Sequence, residues 1–207
     1  MRIPLKITNL IFASGGLEPI TAIGRFKKRR NPFCEPPMAV ITRNYNQRME
    51  TVIHEIPPVF DAQSRILILG TMPSPKSREA GFYYGHPQNR FWKALAAALR
   101  TPVPAPGERR AYLLWHRIAM WDVLSRCDII GAADSSIKNP KANDFSAIFA
   151  HAGIKKVFCT GITAARLYRR LTGGECVCLP SPSAANCRVG LDGLAEAYMA
   201  ILPYLED

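Results

Sequence analysis

Two stretches hold most of the side chains that could do chemistry. The first runs Gly70-Thr71-Met72-Pro73-Ser74-Pro75-Lys76-Ser77 and then Gly81-Phe82-Tyr83-Tyr84-Gly85-His86-Pro87-Gln88-Asn89-Arg90-Phe91-Trp92. The second is Leu179-Pro180-Ser181-Pro182-Ser183-Ala184-Ala185-Asn186. Gly70 begins no GxxxxGK[ST], and neither stretch has a GxGxxG, so nucleotide-triphosphate and dinucleotide loops are poor readings. There is no GxSxG elbow, and the four histidines offer no evident partner for a serine nucleophile. The six cysteines (Cys34, Cys127, Cys159, Cys176, Cys178, Cys187) form no CxxC pair, which argues against zinc or an iron–sulfur centre and for reduced cytosolic thiols. What remains is a pair of serine- and proline-rich turns whose backbone amides can hold phosphate oxygens, beside a cluster of aromatics.

Those turns need a scaffold, and the chain is long enough to supply one. At 207 residues and 48% hydrophobic it can close a sizeable core. Arg65-Ile66-Leu67-Ile68-Leu69-Gly70 is an apolar run ending in glycine, as expected of a central strand covered on both faces. Phe91, Leu95 and Leu99 then predict a helix over 89–100, stopped by Pro102, Pro104 and Pro106. Further helices are predicted over 108–119, 145–151 and 163–171, and strands over 120–124, 156–161 and 177–179. Leu191, Leu194, Tyr198, Ile201 and Leu205 mark a closing amphipathic helix. Strands alternating with helical periods are the pattern of an α/β layered domain with a largely parallel sheet. Ligands of such sheets bind beyond the carboxyl ends of the strands, so the loops after Leu69, Leu124, Thr160 and Leu179 are where chemistry belongs.

The formal net charge of +11 suits a polyanionic partner, but it is uneven. Residues 1–48 hold nine basic residues against two acidic; residues 49–207 hold eighteen against fourteen. The first segment, with Lys27-Lys28-Arg29-Arg30 and broken by Pro32, Pro36 and Pro37, is read as a basic, poorly ordered extension, or as a start placed too early given Met38 and Met49. The working domain is read as 49–207. No apolar run approaches the ~20 residues of a membrane span.

Gly-Thr-Met-Pro-Ser at 70–74, Lys-Ser-Arg-Glu at 76–79, the twelve residues 81–92 and Asp-Ser-Ser-Ile-Lys-Asn at 134–139 resemble the hypoxanthine-DNA (deoxyinosine) glycosylase branch of the uracil-DNA glycosylase superfamily. The resemblance runs from about His54 to the C-terminus. It implies a three-layer α/β/α sandwich around a four-stranded parallel sheet, and hydrolysis of the N-glycosidic bond of a deaminated base in double-stranded DNA. It implies no metal or organic cofactor, and the expected enzyme is a cytoplasmic monomer. Met72 stands where uracil enzymes carry Asn or Asp, and the catalytic role passes to Asn89. Gly70, Thr71, Met72, Pro73, Ser74, Phe82, Tyr83, Tyr84 and His86 are the expected substrate-binding residues. Lys76, Ser77, Ser181 and Ser183, with Lys138, are expected at DNA phosphates. The second turn departs from the branch's usual Leu-Pro-Ser-Thr-Ser-Pro-Ala-Asn-Ala, and Leu179 replaces the histidine that uracil enzymes place at its start.

A target base must leave the duplex, enter a pocket and stack, and the aromatics 82–84 suit that, although three in a row cannot all face inward. Asn89 cannot be a general base, yet it can orient water or bond the leaving base; Asn ahead of an apolar helix is equally a favoured cap. His86 serves either as a polar contact to base or phosphate or as a histidine bonded to backbone. Asp122 is read as a second polar group near the pocket or as a strand-end partner. Two alternatives stay open: a uracil or mismatch-uracil glycosylase, and a catalytically silent nucleic-acid-binding module of the same fold.

Overall fold

The structure is a computed structural model that describes residues 48–206; the extension read at 1–48 lies outside the described residues except for Arg48. In chain order the elements are β1 (Met49–Ile53), β2 (Ile66–Gly70), α1 (Pro75–Glu79), α2 (Phe91–Leu99), α3 (Arg109–Trp115), β3 (Ile118–Asp122), β4 (Leu124–Ile130) and β5 (Lys138–Ala142). There follow α4 (Ser146–His151), β6 (Lys156–Thr160), α5 (Ile162–Thr172), β7 (Val177–Leu179) and α6 (Leu191–Tyr198), which runs into a 3₁₀ segment, Met199–Tyr204.

The central sheet is four-stranded and parallel throughout, in the order β3-β2-β6-β7, as the apolar strand pattern led one to expect. β2 is buried along its whole length because both its faces are covered. Ile66 and Ile68 point into one core with Ile118, Met120 and Phe158, under α2, α3 and α6. Leu67 and Leu69 point into the other with Val157, Cys159 and the α5 residues Ala164, Ala165, Leu167 and Tyr168. That alternation gives the three layers.

Two boundaries differ from the sequence reading, and both have a backbone cause. The helix expected over 108–119 stops at Trp115, because Arg117 is left-handed (φ 57°) and turns the chain so that Ile118 can pair with Ile66. The strand expected over 120–124 is two strands broken at Val123, with β3 in the parallel sheet and β4 in a second one. This second sheet, antiparallel in the order β1-β4-β5, covers part of the α5 face through Val52, Leu124, Cys127 and Ile129. Its edge strand Lys-Asn-Pro-Lys-Ala carries no apolar alternation, which is why the sequence pattern did not reveal it. Among the described residues no helix is long and apolar enough to cross a membrane.

Candidate active site

All four parallel strands end at one cavity of about 540 Å³, within the roughly 300–1,000 Å³ typical of small-molecule pockets. Gly70 and Thr71 come from the end of β2, Asp122 from β3, Thr160 from β6, and Ser181 to Ser183 from the turn after β7. This is the edge where the strand polarity of an α/β sheet places ligands. Two glycines are there for closeness. A Cβ on Gly70 would stand 2.2 Å from Asp122 Oδ1, and one on Gly161 (φ 108°) 3.3 Å from Ser181 Cβ.

The loop after β2 is wound into a short helix. Ser74 caps α1 by accepting from Ser77 N (3.2 Å), and Pro75 opens the helix, where its missing N–H costs nothing. The Ser77 hydroxyl is spent inside the loop, within 3.1 Å of Ser74 Oγ and accepting from Gly85 N at 3.1 Å.

The aromatic run divides its work. Tyr83 is buried, donating to the carbonyls of Ile56 (3.2 Å) and Pro57 (2.9 Å), with Trp92 Nε1 donating to its own carbonyl. Tyr84 adopts φ 51°, lies flat on Phe91 with ring centres 3.9 Å apart, and bonds the Thr160 hydroxyl (2.9 Å). Phe82 stacks on Trp92. Burial, with help from the charge of Asp122, pushes both tyrosine phenols well above their ordinary range, so they act as neutral hydroxyls.

Asn89 and Arg90 join this motif to the second turn. Asn89 lines the cavity while its Oδ1 accepts from Phe91 N (2.9 Å) at the start of α2. Arg90 donates its backbone N–H to Pro182 O (3.0 Å), Nη1 to Val189 O (2.5 Å), and Nη2 to Ser183 O (2.9 Å) and Asn186 O (2.7 Å). One residue therefore sets the path of the turn from 182 to 189. Asn186 Nδ2 adds a bond to Ser181 O (2.9 Å).

Two carboxyl groups line the same cavity. Asp122 is buried, and its Oδ2 accepts from His54 Nε2 (3.0 Å), whose side chain is fully enclosed against Tyr83 and Trp121. Asp134 accepts the Thr71 hydroxyl on Oδ2 (3.0 Å). Desolvation holds the Asp134 carboxyl above the usual carboxylate range; the Thr71 bond opposes this and the charge of Asp122 adds to it.

Of the expected contact residues, Gly70, Thr71, Met72, Pro73, Ser74, Tyr83, Tyr84, Asn89, Ser77, Ser181 and Ser183 all line the cavity. Phe82, His86 and Lys76 do not. His86 is exposed and takes Gln88 N on Nδ1, and Lys76 is exposed in an ion pair with Glu79 (2.6 Å). Lys138 is exposed on β5, outside the lining. Sequence reasoning gave no role to His54, Arg90, Thr160 or Thr163. Arg90 stood inside the most distinctive motif, which was the one available signal. No group of three or more His, Cys, Asp or Glu side chains able to hold a metal ion occurs among the described residues.

Fold and cavity together define a three-layer α/β protein with a polar, aromatic-walled pocket at the carboxyl edge of its parallel sheet. The chain matches the uracil DNA glycosylase superfamily over residues 57–201, and it belongs to that family. It is 35% identical over 137 residues to a hypoxanthine DNA glycosylase of Methanosarcina acetivorans, covering 64% of this chain and 87% of the relative. A hypoxanthine DNA glycosylase of Methanosarcina barkeri is 34% identical over 150 residues, 69% of this chain and 95% of the relative. Among solved structures, a solution NMR structure from Methanosarcina acetivorans described as a uracil DNA glycosylase superposes with a TM-score of 0.64 at 31% identity, covering 76% of this chain and all of that one.

Proposed function

We propose that the protein is a monofunctional DNA glycosylase that removes deaminated bases, chiefly hypoxanthine, from double-stranded DNA. The observation that carries this reading is the position of Asn89: a carboxamide residue lining a cavity large enough to take a base, which the strand-end residues Gly70, Asp122 and Thr160 and the stacked Tyr84 also line. The nucleotide swings out of its helix and its base enters the cavity. The N9–C1′ bond breaks with its electron pair departing on the base, water adds to C1′, and the water's surplus proton ends on the released base. The products are free hypoxanthine and an abasic site.

No strong base is needed for this. The sugar becomes oxocarbenium-like, and the phosphates of the DNA, together with preorganised protein dipoles, stabilise that positive charge. Asn89 orients water or bonds the departing base; Ser181 and Ser183 approach phosphates. In this reading residues 49–207 form the glycosylase domain, the basic segment 1–48 is an appendage, and the enzyme works in the cytoplasm as a monomer on duplex DNA.

The test is excision from matched duplexes bearing hypoxanthine, uracil or xanthine, scored as alkali-labile breaks. Breaks chiefly at hypoxanthine are expected. Uracil cut in preference would move the protein to the uracil-specific reading, and retained binding with no breaks at any base would make it a silent module.

A further inference from the structure

The most unusual group in the cavity is Asp122. It is only 4% exposed, yet it lines the pocket, and its two oxygens are treated differently. Oδ2 accepts from His54 Nε2 at 3.0 Å. Oδ1 has no donor among the described residues, and it leans over the Cα of Gly70, another cavity residue, so closely that a Cβ there would lie 2.2 Å away. That oxygen opens onto the cavity, where water or the donor of a bound ligand can meet it. The protein holds this one in place: His54 is enclosed between Tyr83 and Trp121, and the glycine at 70 leaves the space for it.

The chemistry of deamination supplies the missing donor. Adenine presents a lone pair at N1. When its amino group is replaced by oxygen, the resulting hypoxanthine carries a proton at N1. Cytosine changes in the same sense at N3 when it becomes uracil. A fixed acceptor at the wall of a base pocket therefore attracts the deaminated base and repels the lone pair of the parent base. Guanine already has an N1–H, so such an acceptor gives no protection against it.

We propose that Asp122 Oδ1, positioned by His54, is the specificity-determining acceptor that reads the N1–H of the deaminated purine and rejects adenine. The inference rests on the glycosylase reading of the same cavity. It adds the atom that tells damaged from undamaged base.

The test is a comparison of affinities within one protein, using uncleavable 2′-fluoro nucleotides in otherwise identical duplexes. The wild-type protein should bind the hypoxanthine duplex about 10- to 100-fold more tightly than the adenine duplex, the range for one hydrogen bond to a charged group. It should discriminate similarly against N1-methylhypoxanthine, which lacks the proton. Asp122→Asn keeps the shape. With the carboxamide oxygen facing His54, it turns an amide N–H₂ toward the pocket, so the preference over adenine should collapse to within about threefold. Binding to a duplex with a tetrahydrofuran abasic analogue checks that the variant is folded.

Wild-type protein that binds N1-methylhypoxanthine as tightly as hypoxanthine would overturn the proposal, and this arm does not depend on the variant folding. So would an Asp122→Asn protein that keeps the wild-type preference. If instead base discrimination follows the proposal but no duplex is ever cleaved, the glycosylase reading fails and the recognition stands.

Discussion

Replacing Asn89 separates two jobs that one carboxamide does at once. Its Oδ1 accepts Phe91 N–H at 2.9 Å where α2 begins, and the residue lines the cavity. Asn89→Ala deletes the acceptor, a loss of about 1 kcal/mol for a polar group serving a helix start. In a chain of this size that corresponds to a fall in Tm of about 2–4 °C. Asn89→Asp keeps the acceptor and sets a negative charge at the helix start, favourable by about 0.3–1 kcal/mol. The nearby carboxyls of Asp122 and Asp134 oppose that gain, so Tm should stay close to wild type. The aspartate lacks the amide N–H₂, however, and with Oδ1 committed to Phe91 the nitrogen is the end left to meet a departing base. Both variants should therefore lose about 10²- to 10³-fold in excision, the cost of removing one donor aimed at developing charge. Single-turnover cleavage of a hypoxanthine duplex, with calorimetric melting on the same preparations, reads both quantities. An Asn89→Asp enzyme cutting at the wild-type rate would refute the assignment of the donor end. Full activity in Asn89→Ala with a large melting loss would reduce the residue to a cap.

Three other perturbations follow from the same cavity. Gly70→Ala drives a methyl group onto Asp122 Oδ1, at 2.2 Å in the present geometry; the carboxylate must move, and a displacement of about 1 Å should cost on the order of 100-fold in excision, whereas an unchanged rate would show that Asp122 does not touch the base. Arg90→Lys replaces a fork serving the carbonyls of Ser183, Asn186 and Val189 with a single ammonium; the loss of two charge-assisted bonds at a half-exposed site should lower stability by about 2–3 kcal/mol and weaken binding to an abasic-analogue duplex, both measurable by melting and titration. Asp134 holds its proton to higher pH folded than unfolded, because desolvation raises its carboxyl. Stability from this group is present below the ordinary carboxylate pKa and is lost as pH rises through the raised one. Asp134→Asn should flatten that limb in urea melts taken from about pH 4 to pH 7; an unchanged limb would mean that another group causes it.

The parts of this protein that were legible in its sequence are those encoded by neighbours in the chain. Ile66 to Gly70 declares a buried strand because five consecutive residues must be apolar when both faces are covered, and α2 declares itself through Phe91 and Leu95 one turn apart. The motif 81–92 could be tied to the cavity for the same reason. The polar network was not legible, because its partners are far apart in sequence: His54 and Asp122 by 68 residues, Thr71 and Asp134 by 63, Tyr84 and Thr160 by 76, Arg90 and Asn186 by 96. Each pair is brought together only by the strand order β3-β2-β6-β7, which sets the ends of β2, β3 and β6 side by side and draws in β1 and its following residues across β4. The same reasoning explains the aromatics. The local pattern said only that 82–84 could stack, but the sheet decides that Tyr83 reaches the carbonyls of 56 and 57 while Tyr84 meets Thr160. A carboxylate with one oxygen held by histidine and the other left open is therefore a product of topology, and it is at such topological meeting points that the specificity of this fold is set.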